Sequence, residues 1–590
     1  MPERIRKCWP YLFVIAAVLL VSRDWWNTAL LGGHSSPFDF FRQVALHDAI
    51  THGELWPRFN TLFYYGYGSL LFHFYAPFSY YLTEIFVLLG APVAVAIKLA
   101  MATGLLLSGV FMVMLVRELF GDWAAATAGA LYVLAPYHLV DVLARHALGE
   151  AIAFAWLPLA FWGVLGAVRD GSAPRALAGA IGLALLVLTH NITAMISAPL
   201  LGVWWLFLTV KYRGQGKRGP LMGVVSGVGG LMLSVFFWLP AMAEKGLVWS
   251  EQSLTYEYFQ YWKHFVYFKQ FFSLFWGHGG SRPGLKDTLP YQIGLAHWLM
   301  LAGSLIVVFK KQKWRSWLLV FLGMFLFAVM MAHWISKPVW DAISLLAFVQ
   351  FPWRFLVLAV FAGSIAAAVV AEWIREIGKK NWGPALALCI VCLSFVVYAP
   401  YTYSRHTLYD TKNDHHRHLL KEKYDKRVQK KRWERLEEIA TPYWLGTRLT
   451  RATAREDFLP KTVKTLPSEP IYGEVLHVSS DAGEVLNYKT YGYSTKGSLS
   501  DVIMERPGKV ILHRFWFPGW RARVNGQPAE TAPTDIYGLV SVDVPAGSHE
   551  VEFDFGSTPL RTGAGVVSLL TALGFVILLL VFRRRGLPNH

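Results

Sequence analysis

Uncharged apolar runs recur along this chain, and Lys or Arg clusters close them off. Residues 201–210, 317–332, 385–397 and 566–582 are such runs. They approach or reach the ~20 residues that cross a ~30 Å hydrocarbon core as a helix. In lipid each backbone N–H and C=O must be satisfied within its own segment, which makes helix the required form. Composition agrees: of 590 residues, 54% are hydrophobic and 16% charged, too little charge to cover a soluble protein of this size. The fold class that follows is a polytopic α-helical membrane protein.

The positive charge sets the expected topology. A formal net charge of +17 raises nucleic-acid binding, but the cations sit in clusters between the apolar runs. They are residues 4–7, Arg117, Arg169 with Arg175, and residues 211–218, 310–315, 375–380 and 583–585. Lys/Arg enrichment marks cytoplasmic loops, so no nucleic-acid partner is expected. Both termini are then predicted to be cytoplasmic, with outward tips at residues 137–150, His190-Asn191, 244–291, 333–352 and 401–559. Residues 74–89 are apolar enough to span, yet a span there would put Arg117 outside and invert every later loop. They are predicted to form an interfacial or re-entrant helix, leaving about 12 spans. Residues 11–21 follow basic residues without a small-residue cleavage site and read as an uncleaved first span. Cys8, Cys389 and Cys392 lie in or beside apolar runs, with neither a disulfide framework nor zinc spacing.

Residues 1–400 read as the membrane core, including a first outer loop at residues 31–93. Residues 401–440 are polar and strongly basic, and read as a helical linker. In residues 441–560 the runs 510–514, 521–524, 539–544 and 549–555 are strand-like. Between them stand the turn signals Pro518-Gly519, Asn525-Gly526 and residues 545–548. Asn-Gly between strand-like runs is a strong hairpin signal. A small extracytoplasmic β-sandwich-like domain is expected there, followed by a last span and cytoplasmic tail in residues 561–590. No internal repeat of the inverted-transporter kind is visible.

Chemistry-bearing residues gather on the predicted outer tips. The first loop carries Asp39, Arg42, His47, Asp48, Glu54 and Arg58 among aromatics and glycines. A helix over residues 39–52 would place Asp39 and Arg42 one turn apart on one face. A carboxylate beside a fixed cation stays ionised and serves as base or metal ligand. For Asp48 and Glu54 a surface salt bridge is the expectation. Other tips bring Arg145 and Glu150, His190 and Asn191, and Arg354 beside Pro352. Ionisable groups at membrane depth are costly, which makes them functional candidates. Arginines converging at one face suit a phosphate or diphosphate, whose oxygens match the guanidinium fork. An apolar bundle under a basic, aromatic loop suits a sugar phosphate carried on a polyprenyl chain.

The order and spacing of several motifs resemble a known family. They are Asp39-x-x-Arg42, Gly53-Glu54-Leu55-x-Pro57-Arg58, Gly66-Tyr67-Gly68, Phe74-Tyr75-x-Pro77, Arg145-x-x-x-x-Glu150, Leu188-Thr189-His190-Asn191 and Phe351-Pro352-Trp353-Arg354-Phe355. Together they resemble bacterial integral membrane proteins labelled "6-pyruvoyl-tetrahydropterin synthase-related". From Phe517-Pro518-Gly519-Trp520 through Val544-Pro545-Ala546-Gly547 the chain is similar to the end of YfhO-like proteins. The resemblance implies the GT-C superfamily of membrane glycosyltransferases and a bacterial inner-membrane location in the cell envelope. It also implies a polyprenyl-phosphate sugar donor and an acidic residue of the first outer loop as base or metal ligand. That residue is Asp39 here. Relatives are expected to carry a His-Asp pair at the loop's start, where this chain has His34-Ser35, so Asp48 stays open as the working acid.

The expected activity is transfer of a sugar from that donor to a lipid-, glycan- or protein-borne acceptor on the extracytoplasmic face. Asp39, Asp48 and Glu150 are the catalytic candidates. Arg42, Arg58, Arg145, His190, Asn191 and Arg354 are the substrate-binding ones. Mg or Mn would be held by Asp39, if a metal is used. Trp516 and Trp520 of the β-rich domain are expected to be exposed and available to an acceptor. The alternatives are a lipid or polysaccharide transporter, which would need broken spans and ionisable residues near mid-membrane, and a non-catalytic assembly protein.

Overall fold

The computed structural model describes residues 3–27, 29–249, 257–378, 382–407, 458–467, 476–479, 485–494 and 497–584. Among the described residues eight helices are long and apolar enough to cross a membrane, including Val93–Leu119, Leu148–Asp170, Asn191–Lys211 and Gln312–Ala332. Arg218–Leu233 and Val235–Leu247, bent by 61° at their junction, pass the same test together and make a ninth when counted as one broken span. The shorter apolar helices Cys8–Val21, Ala173–Thr189 and Leu295–Lys310 complete the alternation, for about 12 spans. Phe78–Leu88 has 11 residues, about 16 Å at 1.5 Å per residue, roughly half of what a crossing needs.

Small residues bring the helices together. A Cβ at Gly163 would collide with the backbone of Gly179, and one at Gly182 with Ala160, so Leu148–Asp170 and Ala173–Thr189 lie in backbone contact. Lipid offers no hydrophobic drive for helices to associate, and close approach over glycine supplies van der Waals contact instead. Gly171, at φ 61, makes the left-handed turn between them. The helix Leu356–Ile377 is buried along nearly its whole length, whereas Leu569, Leu570, Leu573, Ile577 and Leu580 of the last helix, Pro559–Arg584, are exposed as a lipid-facing side.

The basic residues collect at one end of the bundle, where carboxylates hold them. Arg117 meets Asp122 at 2.6 Å, Arg169 and Arg175 meet Glu118 at 2.9 and 2.8 Å, and Lys311 and Lys313 meet Glu376 at 2.8 and 2.6 Å. The opposite end carries the large loops. Lys98 belongs there: its Nζ donates to the carbonyls of Asn27 and Ala29 at 2.5 and 2.8 Å.

The C-terminal strands form two antiparallel sheets. Four strands run in the order Leu476–Ser479, Gly508–Phe515, Leu539–Val544, Thr531–Pro533. Five run in the order Val485–Ser494, Gly497–Met504, Gly547–Phe555, Trp520–Val524, Gln527–Ala529. Buried Val510, Leu512, Val540 and Val542 of one and Val502, Ala522, Val551 and Phe553 of the other share one core, as in a β-sandwich. The expected hairpin forms at Asn525-Gly526, with φ 54 and 77 and Val524 opposite Gln527. The sandwich rests on the first loop. Phe515 N–H donates to Tyr67 O at 2.9 Å, Phe59 packs on Trp520 at 5.4 Å, and Phe74 stacks on Phe458 at 5.7 Å. Trp520, expected to be exposed, is 6% exposed, because the sandwich turns its aromatics onto the loop. The basic linker lies outside the described residues apart from residues 401–407, of which His406–Thr407 pairs with Leu30–Leu31.

Candidate functional site

Asp39 lies on the helix Ser36–Thr51 and is 2% exposed. This helix packs against Phe78–Leu88, which turns Ser79, Tyr80, Thr83 and Glu84 inward and leaves Ile85, Leu88 and Leu89 exposed. The hydroxyl of Tyr80 donates to Asp39 Oδ1 at 2.7 Å and accepts from Arg42 Nη1 at 3.3 Å. The expected Asp39–Arg42 pair is therefore bridged by a tyrosine. Burial, and then the Asp39 charge, push the Tyr80 hydroxyl well above its usual pKa, which keeps it a donor. Arg42 also stacks over Tyr75 at 4.7 Å. One turn further, Glu84 accepts from Gln43 at 2.7 Å and meets His47 Nδ1 at 2.6 Å.

A second cluster adjoins the first. Val140–Ala144 forms a turn of π-helix, a distortion that recurs at functional sites. It aims Asp141 at Arg145, and the same guanidinium donates to Glu150 Oε2 at 2.8 Å. Tyr137 holds the other Glu150 oxygen at 2.8 Å, and Arg354 Nε stands 3.6 Å from Oε2. Trp353 supports Arg145 from below, ring to guanidinium 4.4 Å. The indole N–H of Trp353 is anchored on Ser281 at 3.2 Å, and Ser281 also meets His264 and Tyr291 at 2.8 and 2.7 Å. His190 caps the helix Asn191–Lys211. Its Nδ1 accepts from the Thr193 N–H at 3.2 Å, so the ring proton is on Nε2. Asn191 is an exposed first residue of that helix. The two clusters are joined at the Arg145-His146 turn: Ser35 N–H donates to Arg145 O at 3.0 Å, and His146 Nδ1 lies 3.4 Å from Asp39 Oδ2.

Two expectations need correction. Asp48 and Glu54, expected at the surface, are buried at 1% and 4% exposure, and Asp48 faces His52 at 3.4 Å. Arg58 stands apart from the other arginines. It donates to His73 Nδ1 at 3.0 Å and to Phe236 O at 2.8 Å, next to the bend in the broken span. His73 Nε2 in turn lies 2.5 Å from Glu244, which Arg561 of the last helix meets at 3.0 Å. An arginine can only donate, so His73 Nδ1 accepts and the ring is neutral with its proton toward Glu244. Burial pushes the His73 imidazole down to about 4. For the metal, no three of His, Cys, Asp and Glu converge among the described residues. Asp39, with Tyr80 and His146 as neighbours, would be the carboxylate offered to Mg or Mn, with ligand oxygens and water filling the other positions.

Residue-by-residue reading missed Tyr80, Asp141, His146 and the His73–Glu244–Arg561 chain. The i, i+4 spacing of Asp141 and Arg145 was a usable signal. The others depend on contacts between distant segments.

Among solved structures, the oligosaccharyltransferase of Archaeoglobus fulgidus in its apo form is similar at 16% identity and TM-score 0.43, over 68% of this chain and 57% of that one. ArnT of Cupriavidus metallidurans, bound to undecaprenyl phosphate, is similar at 17% identity and TM-score 0.41, over 67% and 75%. A Lactococcus lactis subsp. cremoris protein described as uncharacterized is 21% identical over 267 residues, 44% of each chain, so the match spans less than half of that relative. The model of one family matches residues 72–403, more than half of the chain and including Arg145, Glu150, His190 and Arg354. The chain belongs to that family of membrane proteins, described as the 6-pyruvoyl-tetrahydropterin synthase related domain.

Proposed function

We propose that this protein transfers a sugar from a polyprenyl-phosphate donor to a lipid-, glycan- or protein-borne acceptor at the loop end of the bundle. The observation that carries this reading is the Arg145-His146 turn. It unites a buried carboxylate, Asp39, with the arginine pair Arg145 and Arg354 beside an apolar bundle. Sugar transfer from a lipid phosphate needs both: an acid–base group at the acceptor hydroxyl and cations where charge develops on the departing phosphate. Arg145 and Arg354 take the phosphate role. Glu150, itself held by Tyr137, keeps the two guanidinium groups in register until the anion arrives, and Asp39 serves the acceptor. The polyprenyl chain would lie along the apolar flanks of the helices, and the site would face the cell exterior.

Asp39→Asn tests this in cells with and without the protein, by mass spectrometry of lipid-linked and surface glycans. A missing sugar that wild type restores and Asp39→Asn does not is the expected result. Undiminished restoration refutes the role of Asp39, and unchanged glycans without the protein refute the activity.

One observation favours a transporter instead, namely the 61° break between Leu233 and Val235 with ionisable residues beside it. The backbone groups freed there already have partners: Phe236 N–H donates to Ser568 at 3.1 Å, Ser568 to Met232 O at 3.0 Å, and Arg58 to Phe236 O. A transporting break would leave such groups to its cargo.

A further inference from the structure

His146 combines three features that a histidine kept for packing would not need together. It is fully buried, its backbone is left-handed at φ 51, and its ring faces Asp39. Residues with a Cβ seldom adopt that backbone, and where they persist in it they gather at functional sites. The turn is closely packed. Gly33 passes so close that a Cβ there would lie 2.5 Å from the Cβ of His146, and Ser35 pins the preceding carbonyl. The ring nitrogens differ. Nδ1 is 3.4 Å from Asp39 Oδ2, whereas Nε2 is buried and has no hydrogen-bond partner among the described residues. The remaining Asp39 oxygen is held by Tyr80, which fixes the direction of the carboxylate.

We propose that Asp39 and His146 act as a carboxylate–imidazole pair, in which Asp39 holds Nδ1–H and His146 Nε2 takes the proton of the acceptor hydroxyl. This rests on the sugar-transfer reading and revises the role of Asp39 within it from base to orienting group. In the step, the acceptor oxygen forms a bond to the anomeric carbon. The bond from that carbon to the phosphate oxygen breaks, and its electron pair leaves with the lipid phosphate toward Arg145 and Arg354. The hydroxyl proton passes to Nε2, the imidazolium is stabilised by Asp39, and the proton is later released to water. An acid–base imidazole needs one nitrogen oriented and the other unoccupied, which is the state of His146.

His146→Asn tests the pair. The Asn amide stands where Nδ1–H stands and tolerates the left-handed backbone, but it has nothing at Nε2. The variant is expected to fold with a melting temperature at or above wild type, while its cells show the glycans of the deletion strain. Wild-type glycans from His146→Asn overturn the proposal. A second measurement does not depend on activity: nitrogen NMR of the full-length protein labelled with 15N-histidine, with His146→Gly and His146→Asn assigning the signal. A protonated Nδ1 with a bare Nε2, lost in Asp39→Asn, is expected. A proton on Nε2 overturns the pair. If the deletion strain has normal glycans while the Nδ1–H form is present, sugar transfer is refuted, and with it the proton-accepting role, though not the Asp39–His146 contact.

Discussion

Glu150→Gln separates an anion site from a structural ion cluster. In the native protein Arg145 and Arg354 face Asp141 and Glu150, two cations against two carboxylates in a buried space. Gln keeps the shape and can still accept from Tyr137, but it removes one negative charge. Breaking one partner from a buried pair costs roughly 3–5 kcal/mol. Asp141 still holds Arg145, so the lower end applies, about 3 kcal/mol. The excess positive charge then awaits an anion. Inorganic pyrophosphate at 100 times its Kd should return about 2.7 kcal/mol through binding to the folded state. The assay is thermal unfolding of the purified protein in detergent, with and without pyrophosphate, for wild type and variant. The expected pattern is a lower melting temperature for Glu150→Gln, largely recovered by pyrophosphate and much less by chloride of equal ionic strength. A variant as stable as wild type, or one indifferent to pyrophosphate, would refute the assignment of these arginines to an anion.

His73 is neutral when folded, with its pKa pushed down to about 4, whereas an unfolded His titrates near 6.5. The unfolded chain therefore binds more protons between those values. Stability should be full above about pH 6.5 and fall by up to about 3 kcal/mol as pH drops toward 4, a slope that His73→Gln should flatten in melting curves. Arg561→Gln should cost about 3 kcal/mol by leaving Glu244 short of its cation, and the double variant Arg561→Met/Glu244→Leu should recover much of it in a double-mutant cycle. Gly526→Ala, forced to φ 77 in the hairpin, should destabilise the β-sandwich by about 1 kcal/mol, read as earlier proteolysis of the C-terminal domain, while Asn525→Gly should be neutral.

Features that depend on local pattern or on the solvent were legible in the residues alone. Apolar length gave the spans, because each helix must satisfy its own backbone in lipid. The alternation of basic clusters demoted residues 74–89, and the helix there is too short to cross. Asn525-Gly526 placed a hairpin because few residue pairs accept two positive φ angles. Arg145 with Glu150 and Arg354 were likewise legible as charges sharing one end of the bundle, and the structure draws these three together. How such charges are divided depends on packing between distant segments. Arg58 and Arg354 look alike in sequence, yet one is drawn to His73 at the bend and the other to Glu150. His146 carries no local signal, since Asp39 and Gly33, which lie against it, stand more than a hundred positions earlier in the chain. Spacing along a helix tells which side chains share a face. Which face meets which is settled by packing between segments far apart in the chain, and there the acid, the imidazole and the arginines acquired their partners.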